Sequence, residues 1–296
     1  MRLMRSLLFV PGHREGWGAK ALASGADGII LDLEDSVPTD KKDLGRTLVA
    51  RTIAELRKAN PSVGIYVRLN ALETGMTGDD IEAILVPGLD GVLPAKTFGP
   101  RDVISVDALL THYERRHGLS AGSVEIIIPL ETAQAYTSCE AMIAASPRVK
   151  SLFAGTARDA DVSRSVGFRF TEEGQETLYL RSRALLAVRA AGLEFPLIGL
   201  WQEPGDLDGL RRFATANRDL GYRGQVLIHP SHVAIANEVY SPSAQEHEFY
   251  NGMIAAFDAA EAQGIAAVTY EGHHIDYAHV KTAREVVALY EELARR

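Results

Sequence analysis

Residues 123–131 (SVEIIIPLE) form a β-branched apolar run that ends in a carboxylate, Glu131. Three consecutive isoleucines without polar alternation predict a strand that is covered on both faces, as in a parallel sheet. The next segment, residues 132–145, is predicted to be a helix, so Glu131 lies at the carboxyl end of the strand. Parallel α/β folds place their functional groups at that edge. We therefore expect other strands to bring polar groups to the same edge.

The same alternation of a short apolar strand with a helical segment recurs along the chain. Strands are predicted at residues 6–10, 27–35, 63–70, 91–96, 123–131, 151–155, 196–200 and 225–230. Eight strand–helix repeats in about 240 residues favour a (β/α)8 TIM barrel over an open, doubly wound sheet. The predicted domains are thus a catalytic barrel at residues 1–240 and a helical C-terminal extension at residues 241–296. The extension is expected to be a lid or an oligomer contact.

Charge and composition exclude several classes of partner. The net charge of −8 and the isoelectric point near 5.6 argue against nucleic acid as the main partner. Cys139 is the only cysteine, so no intrachain disulfide can form, and we expect it to be a packing thiol. No apolar run reaches the roughly 18 residues of a membrane span. The N-terminal segment lacks a small-residue cleavage site, so a cytoplasmic protein without a membrane partner is expected.

The predicted strand ends collect a set of polar residues at one rim of the barrel. Its members are Pro11, Gly12, Asp32, Glu34, Asp35, Arg68, Lys96, Glu131, the 158–161 cluster, Glu203 and His229. Glu131 and an aspartate just after strand six would be neighbours around the barrel, and adjacent carboxylates repel unless a cation lies between them. Two carboxylates with water and substrate oxygens suit Mg²⁺. The alternative is that these acids cap helices or form surface ion pairs.

The basic residues of this rim have two interpretations each. Arg68 ends an apolar strand, where a guanidinium is costly unless it meets an anion; it either pairs structurally with Glu34 or Asp35 or clamps a substrate carboxylate or carbonyl. Lys96 is more easily a salt-bridge or phosphate contact than a Schiff-base lysine, since nearby acids keep it protonated. The Pro11-Gly12 pair either brings backbone amides to a ligand or is only a turn.

Several ordered motifs resemble the citrate lyase beta-subunit-like family, which includes malyl-CoA lyases and belongs to a larger hydroxy-acid aldolase superfamily. They are residues 5–12 (RSLLFVPG), 26–37 (ADGIILDLEDSV), 67–70 (VRLN), 93–96 (LPAK), 129–132 (PLET), 228–230 (IHP), 240–243 (YSPS) and 271–276 (EGHHID). The resemblance covers nearly the whole chain. It implies a TIM barrel with a C-terminal extension, often assembled as a homotrimer or a hexamer.

The resemblance also implies roles for individual residues. Mg²⁺ would be held by Glu131 and Asp161, and Arg68 would contact the substrate's oxygens. Asp161 is preferred to Asp159 because it keeps the family's spacing to Glu173-Gly174. Asp276 would serve the active site of a neighbouring subunit as acid/base. Without the resemblance, Asp276 would be predicted to cap a helix, because Asp is a favoured N-cap residue.

The expected function is a Mg²⁺-dependent carbon–carbon lyase that cleaves or forms a malyl-CoA- or citryl-CoA-type 3-hydroxyacyl-CoA, with a 2-oxo acid as the other product. Pro11, Gly12, Glu34, Asp35, Lys96, Arg68 and Glu131 are the expected substrate-binding residues. Three alternatives are a malyl-CoA-type thioesterase, a CoA-independent pyruvate aldolase and the beta subunit of a citrate lyase complex. The chain departs from the family pattern at Arg158-Asp159-Ala160 and Gly272-His273-His274, which leaves the acyl group undetermined.

Overall fold

A computed structural model describes residues 3–295 and places eight parallel strands in a closed barrel. The strands are β1 Ser6–Pro11, β2 Gly28–Asp32, β3 Gly64–Leu69, β4 Gly91–Pro94, β5 Glu125–Leu130, β6 Val149–Ala154, β7 Leu197–Ile198 and β8 Gly224–Leu227. They pair in sequence order, and β8 closes the barrel on β1. The predicted (β/α)8 TIM barrel is confirmed.

Helices follow the barrel strands. They are α1 Trp17–Ala23, α2 Lys42–Ala59, α3 Thr77–Ile84, α4 Pro100–Arg116, α5 Ala133–Thr137, α6 Cys139–Ala144, α7 Asp161–Val166, α8 Leu178–Ala190, α9 Leu207–Leu220 and α10 Val233–Val239. The sequence patterns did not delimit α4, α7, α9 or α10. Helix α4 begins with proline at its first turn, where the missing backbone donor costs nothing.

The connection between β5 and β6 differs from the single helix predicted for residues 132–145. It contains two short helices that are interrupted at Ser138, whose φ of −124° is not helical. The Ser138 hydroxyl donates a hydrogen bond to the Gln134 carbonyl at 2.7 Å. A serine that hydrogen-bonds the backbone four residues earlier often bends a helix, which accounts for the break.

The barrel interior follows from the apolar strands. Every residue of β2 is buried, and Ile126, Ile127 and Ile128 of β5 have no exposed surface. Burying each such side chain contributes about 1.5–3 kcal/mol. The parallel register aligns the strand ends at one edge, where Pro11 pairs with Asp32 and Asp32 pairs with Arg68. That edge is the predicted rim.

A buried ion cluster lies at the amino end of β6. Arg148 donates to Glu114 of α4 at 2.6 Å and to Asp107 at 2.6 Å. Glu114 is fully buried and also accepts backbone N–H groups from Gly122 and Val124. The cluster fastens α4 to the loops on both sides of β5, so its role is structural.

The chain divides into two compact units, one through Asn237 and one from Glu238 onward, beside a predicted boundary at residue 240. The second unit contains α11 Ala244–Glu261, β9 Val268–Tyr270, β10 His273–Ile275 and α12 Tyr277–Ala294. Its core is formed by Met253, Phe257, Ile275, Val280 and Ala283. The predicted helical character of the extension is confirmed.

The antiparallel hairpin of the second unit turns at Glu271-Gly272. His273 pairs with Tyr270, so the turn has two residues, and both have positive φ, 46° and 82°. Such a turn matches the right-handed twist of the two strands. It brings β10 directly to Asp276, the residue that begins α12.

Within residues 3–295, the helices are all too short or too polar to cross a bilayer.

Candidate active site

Arg68 and Asp32 form a buried bidentate ion pair at the ends of β3 and β2. The Nε and Nη2 atoms of Arg68 each lie 2.7 Å from a carboxylate oxygen of Asp32. Burial by itself raises the pKa of Asp32, but the Arg68 guanidinium outweighs that effect and holds the pKa below its usual value. Asp32 is therefore an anion that fixes the guanidinium plane. Asp32 thus occupies the Nε and Nη2 atoms of Arg68, and Nη1 is the atom that faces the other acids.

Glu34 and Lys96 form the second ion pair of the rim. Lys96 Nζ lies 2.7 Å from Glu34 Oε1 and 3.4 Å from Asp35 Oδ1. Arg68 Nη1 lies 2.9 Å from the other oxygen of Glu34, without the alignment of a hydrogen bond. Although burial opposes it, the hydrogen bond to Glu34 raises the pKa of Lys96, so the amine is protonated and unsuited to Schiff-base chemistry.

Glu131 follows β5 directly and is only partly exposed. Its Oε2 accepts the backbone N–H of Lys96 at 2.9 Å, and its Oε1 lies 4.0 Å from Arg68 Nη1. Burial is the main cause that raises the pKa of Glu131, and the charges of Glu34 and Asp161 add to it. A carboxylate in this position gains stability from a further cation.

Asp161 is the first residue of α7, in the loop after β6. Its Oδ2 lies 3.8 Å from Lys96 Nζ, and its other oxygen accepts a hydrogen bond from Arg164. Lys96 thus contacts Glu131 through its backbone and Asp161 through its side chain. Asp159 is exposed and has a left-handed backbone, with φ of 53°.

The donor chemistry of this rim fits a hard divalent cation. Glu131 and Asp161 offer only oxygen, and the acids of the rim outnumber its bases. Across residues 3–295 no group of three or more His, Cys, Asp or Glu side chains forms a ready-made metal cage. Mg²⁺ rarely uses such a cage, because it keeps several waters and takes one or two carboxylates with substrate oxygens. Glu131 and Asp161 are therefore the residues that would hold it.

Gly12 serves the packing of the rim. Its N–H donates to the Asp32 carbonyl at 2.7 Å. A Cβ at this position would lie 2.5 Å from that carbonyl oxygen and 2.7 Å from Val49 Cγ2, so only glycine fits. The contact joins Pro11-Gly12 to the end of β2. It favours the interpretation of this pair as a turn over the interpretation as a backbone contact to a ligand.

The other predicted rim residues contact each other. Arg158 Nη1 lies 3.4 Å from Glu203 Oε1, and its guanidinium stacks over the Phe170 ring at 4.9 Å. His229 accepts a hydrogen bond from the Ser231 backbone, and the Ser231 hydroxyl donates to the Pro204 carbonyl of the loop after β7 at 3.2 Å. These contacts link the loops after β6, β7 and β8.

Asp276 caps α12 in the second unit. Its Oδ1 accepts hydrogen bonds from the backbone of Ala278 at 2.9 Å and of His279 at 3.4 Å. The His279 ring contacts the same oxygen at 2.7 Å, and this hydrogen bond lowers the pKa of Asp276. The carboxylate is half exposed and ionised at neutral pH.

Two contributors to the rim were absent from the predicted set. Arg164 was missed, although its position three residues after Asp161 on one helix is a standard ion-pair spacing. Lys42 was missed because a lysine at the start of a helix usually faces solvent, whereas this one is buried. The sequence signal for Lys42 is weak.

Comparisons with known proteins identify the family. Residues 5–230 match the HpcH/HpaI aldolase/citrate lyase family. The chain is 34% identical over 290 residues to a (3S)-malyl-CoA thioesterase of Cereibacter sphaeroides, covering 98% of this chain and 95% of the relative. It is also 34% identical to an L-malyl-CoA/beta-methylmalyl-CoA lyase of Cereibacter sphaeroides over 304 residues, covering 96% and 93%.

A solved structure gives the same result. The protein CitE from Mycobacterium tuberculosis, crystallised in complex with magnesium and pyruvate, is 26% identical, with a TM-score of 0.64 over 81% of this chain and 91% of that one. The chain belongs to the HpcH/HpaI aldolase/citrate lyase family. The predicted family and its class of lyase-type enzyme are confirmed.

Proposed function

We propose that this protein is a Mg²⁺-dependent carbon–carbon lyase that acts on a 3-hydroxyacyl-CoA of the malyl-CoA or citryl-CoA type. The observation that carries the proposal is the relation of Glu131 and Asp161 to Lys96. The backbone N–H of Lys96 donates to the Glu131 carboxylate at 2.9 Å, and the Lys96 ammonium group lies 3.8 Å from the Asp161 carboxylate. The relatives named malyl-CoA lyase and malyl-CoA thioesterase, and the magnesium complex of CitE, support the same assignment.

In this proposal Mg²⁺, when bound by Glu131 and Asp161, supplies a Lewis acid that polarises the substrate's oxygens. Arg68 binds the oxo-acid half through Nη1, because Asp32 occupies its other edge. Since Asp32 fixes the guanidinium plane before substrate arrives, little ordering is needed on binding. Lys96 offers a protonated amine to a substrate carboxylate, with Glu34 and Asp35 as its partners in the free enzyme.

The proton transfers are assigned to Asp276 of a neighbouring subunit. Its carboxylate takes the proton of the substrate's 3-hydroxyl group while the bond between C2 and C3 breaks. The hydroxyl carbon becomes the carbonyl of the 2-oxo acid, and the bond's electrons form the enolate of the acyl-CoA. Asp276 then returns the proton to the enolate carbon, which completes the acyl-CoA. An ionised Asp276 at neutral pH suits the first of these steps.

Hydrolysis of the thioester is the second candidate function. The observation that favours it is the similarity to a (3S)-malyl-CoA thioesterase, which equals the similarity to the lyase at 34% identity. Here water attacks the thioester carbonyl, the carbon–sulfur bond breaks, and the CoA thiolate takes a proton. The same rim would bind both substrates, so the products separate the two functions.

The experiment combines two product assays on the purified chain with Mg²⁺. Malyl-, citramalyl- and citryl-CoA, whose cleavage yields a 2-oxo acid, are each tested for release of that acid and for release of free CoA thiol. A 2-oxo acid without free thiol identifies the lyase, and free thiol without a 2-oxo acid identifies the thioesterase. Aldol cleavage of a CoA-free hydroxy acid to pyruvate would identify an aldolase instead. Inactivity on every free thioester would favour a subunit of a citrate lyase complex.

The remaining proposals concern the assembly and its setting. We infer an oligomer, because Asp276 in this scheme completes the site of another subunit, and the family resemblance implies a homotrimer or a hexamer. The C-terminal extension would then be an oligomer contact as well as a source of a catalytic group. We place the enzyme in the cytoplasm, because its CoA thioester substrates occur there and the reducing conditions keep its single cysteine, Cys139, as a free thiol.

A further inference from the structure

Lys42 is a buried lysine whose hydrogen bonds all run toward the rim. It is only 9% exposed. Its Nζ donates to the carbonyls of Leu33 and Glu34 at 2.6 and 2.8 Å, and to Asn70 Oδ1 at 2.7 Å. An ammonium group has three donors, so all of them are used. Lysine is seldom this buried unless its environment requires the charge.

The two carbonyls belong to the peptide groups on either side of the Glu34 Cα atom. Holding both peptide groups fixes φ and ψ of Glu34, and the backbone in turn fixes the direction of its Cα–Cβ bond. The Glu34 carboxylate is the one that meets Lys96 at 2.7 Å and Arg68 Nη1 at 2.9 Å. Lys42 therefore determines where this carboxylate points, without touching it.

Lys42 is itself held by a rigid support. Asn70 is fixed by Asp80, which accepts its backbone N–H at 2.8 Å and its side-chain amide at 2.7 Å. Asp80 is fully buried and pairs with Arg46 Nε at 2.8 Å. Helices α2 and α3 thus hold the ends of β2 and β3 through one chain of hydrogen bonds.

The position of Glu34 controls which acid Arg68 neutralises. Arg68 Nη1 lies 2.9 Å from Glu34 and 4.0 Å from Glu131. If the Glu34 carboxylate moved away, Glu131 would be the next carboxylate within reach of Nη1. Glu131 would then be neutralised by the protein, and less of its charge would be available to a bound cation.

We propose that Lys42 is a positioning residue of this site. By holding the two peptide groups of Glu34, it keeps Arg68 Nη1 paired with the Glu34 carboxylate. The Glu131 carboxylate then stays available to bind the metal. The inference rests on the proposed function for its catalytic part, and its metal-binding part can be measured without substrate. Partners of this kind affect metal affinity or activity by about 10- to 100-fold when they are removed.

The test is a double-mutant cycle between Lys42→Met and Glu34→Gln, with Lys41→Met as the matched control. Lys41 is the adjacent lysine and is exposed, so the control removes the same charge from the same turn. Circular dichroism and urea unfolding establish which variants fold. The readouts are Mg²⁺ affinity by titration calorimetry and kcat and KM on the thioester that the wild type cleaves.

We expect Lys42→Met to weaken Mg²⁺ binding and kcat/KM by about 10- to 100-fold in the wild-type background. In the Glu34→Gln background the same change is expected to have less than about a twofold effect, because the group it positions is gone. Equal losses in both backgrounds would show that Lys42 only stabilises the fold, and would overturn the proposal. An effect of Lys41→Met as large as that of Lys42→Met would also overturn it.

Lys42→Gln, whose amide can still donate to a carbonyl, is the second variant if Lys42→Met does not fold. If neither variant folds, Lys42 is a structural residue and the proposal is wrong. If the wild type binds Mg²⁺ but cleaves no thioester, the proposed function fails, and the calorimetric cycle still decides the role of Lys42. Absence of Mg²⁺ binding by the wild type would overturn both.

Discussion

The backbone N–H of Lys96 donates to Glu131 Oε2 at 2.9 Å, although the two residues follow different strands, β4 and β5. Lys96 makes this contact with a left-handed backbone, φ 51°, which is uncommon for a residue with a side chain. The conformation lets one residue reach Glu131 with its amide and Glu34 with its ammonium group. Strained residues of this type concentrate at functional sites.

Substituting Lys96 should separate its backbone role from its charge. Lys96→Gly keeps the left-handed backbone without strain, so we expect the fold to be preserved. Mg²⁺ affinity should rise severalfold because a competing cation leaves Asp161, while KM for the thioester should rise about tenfold or more with the loss of a charge-assisted contact. Titration calorimetry and steady-state kinetics measure the two effects.

Two related variants serve as controls for Lys96→Gly. Lys96→Arg keeps the positive charge and should change Mg²⁺ affinity little. Lys96→Ala adds a Cβ to the left-handed backbone and should be less stable than the glycine variant by about 1 kcal/mol. A fall in Mg²⁺ affinity in Lys96→Gly would contradict the idea that the lysine and the metal compete.

Glu131→Gln and Asp161→Asn should each abolish Mg²⁺-dependent turnover. Both remove a charged oxygen ligand while keeping the side-chain shape, so we expect kcat to fall at least about 100-fold without loss of the fold. The increase in Tm that Mg²⁺ gives the wild type should disappear, because binding to the folded state is its cause. Thermal unfolding with and without Mg²⁺ measures this.

Asp159→Asn is the matched control for the metal ligands, since Asp159 is two residues from Asp161 and exposed. It should retain wild-type kcat and the Mg²⁺-dependent rise in Tm. Wild-type behaviour of Asp161→Asn together with a defect in Asp159→Asn would reassign the ligand to Asp159.

Asp276→Asn tests the proposed sharing of active sites between subunits. Asparagine caps helices as well as aspartate does, so α12 should keep its stability while the proton transfer is lost. Mixing this variant with Glu131→Gln under conditions that exchange subunits should restore activity. In a ring of equivalent subunits, about a quarter of the sites would combine the two intact residues.

The mixing experiment has a clear negative result. If Asp276 acts within its own subunit, no mixed assembly regains more activity than the sum of the two variants, because every site then carries one defective residue or the other. A monomeric protein would likewise show no activity above the sum of the two variants. Light scattering or sedimentation would establish the oligomeric state independently.

The ion cluster at the amino end of β6 should set the acid stability of the barrel. Burial opposes ionisation of Glu114, but the hydrogen bonds from Arg148 and two backbone N–H groups outweigh it and lower its pKa below the ordinary 4.5. Its contribution to stability is therefore present above pH 4.5 and is lost as the pH falls through the lower pKa of the folded state.

Arg148→Met would leave the Glu114 carboxylate buried without its partner. We expect a loss of about 3–5 kcal/mol in the free energy of unfolding at neutral pH, measured by urea titration. The loss should shrink as the solution is acidified toward pH 4, since protonation removes the uncompensated charge. Arg116→Met, which breaks an exposed pair with Glu82, should cost less than about 1 kcal/mol. Equal effects of the two substitutions would contradict the structural role of the cluster.

The fold could be predicted because it depends on patterns that are local in the chain. The isoleucine run of residues 126–128 and the apolar β2 segment can be stabilised only in strands covered on both faces, and their repetition with helices predicts the barrel. Likewise, Asp276, which the local sequence predicts to cap a helix, is the N-cap of α12. The break at Ser138 was not predictable, since it depends on where one hydroxyl finds its acceptor.

The sequence by itself determined the barrel, the family and the set of acids and bases at the carboxyl ends of the strands. Only the tertiary structure decided how these charges pair. Asp32, not Glu34 or Asp35, takes the bidentate edge of Arg68, and Lys42 faces inward beneath Glu34. The physical reason is distance: ion pairing falls off within a few ångströms, and strands that are far apart in the chain acquire their separations only when the barrel closes.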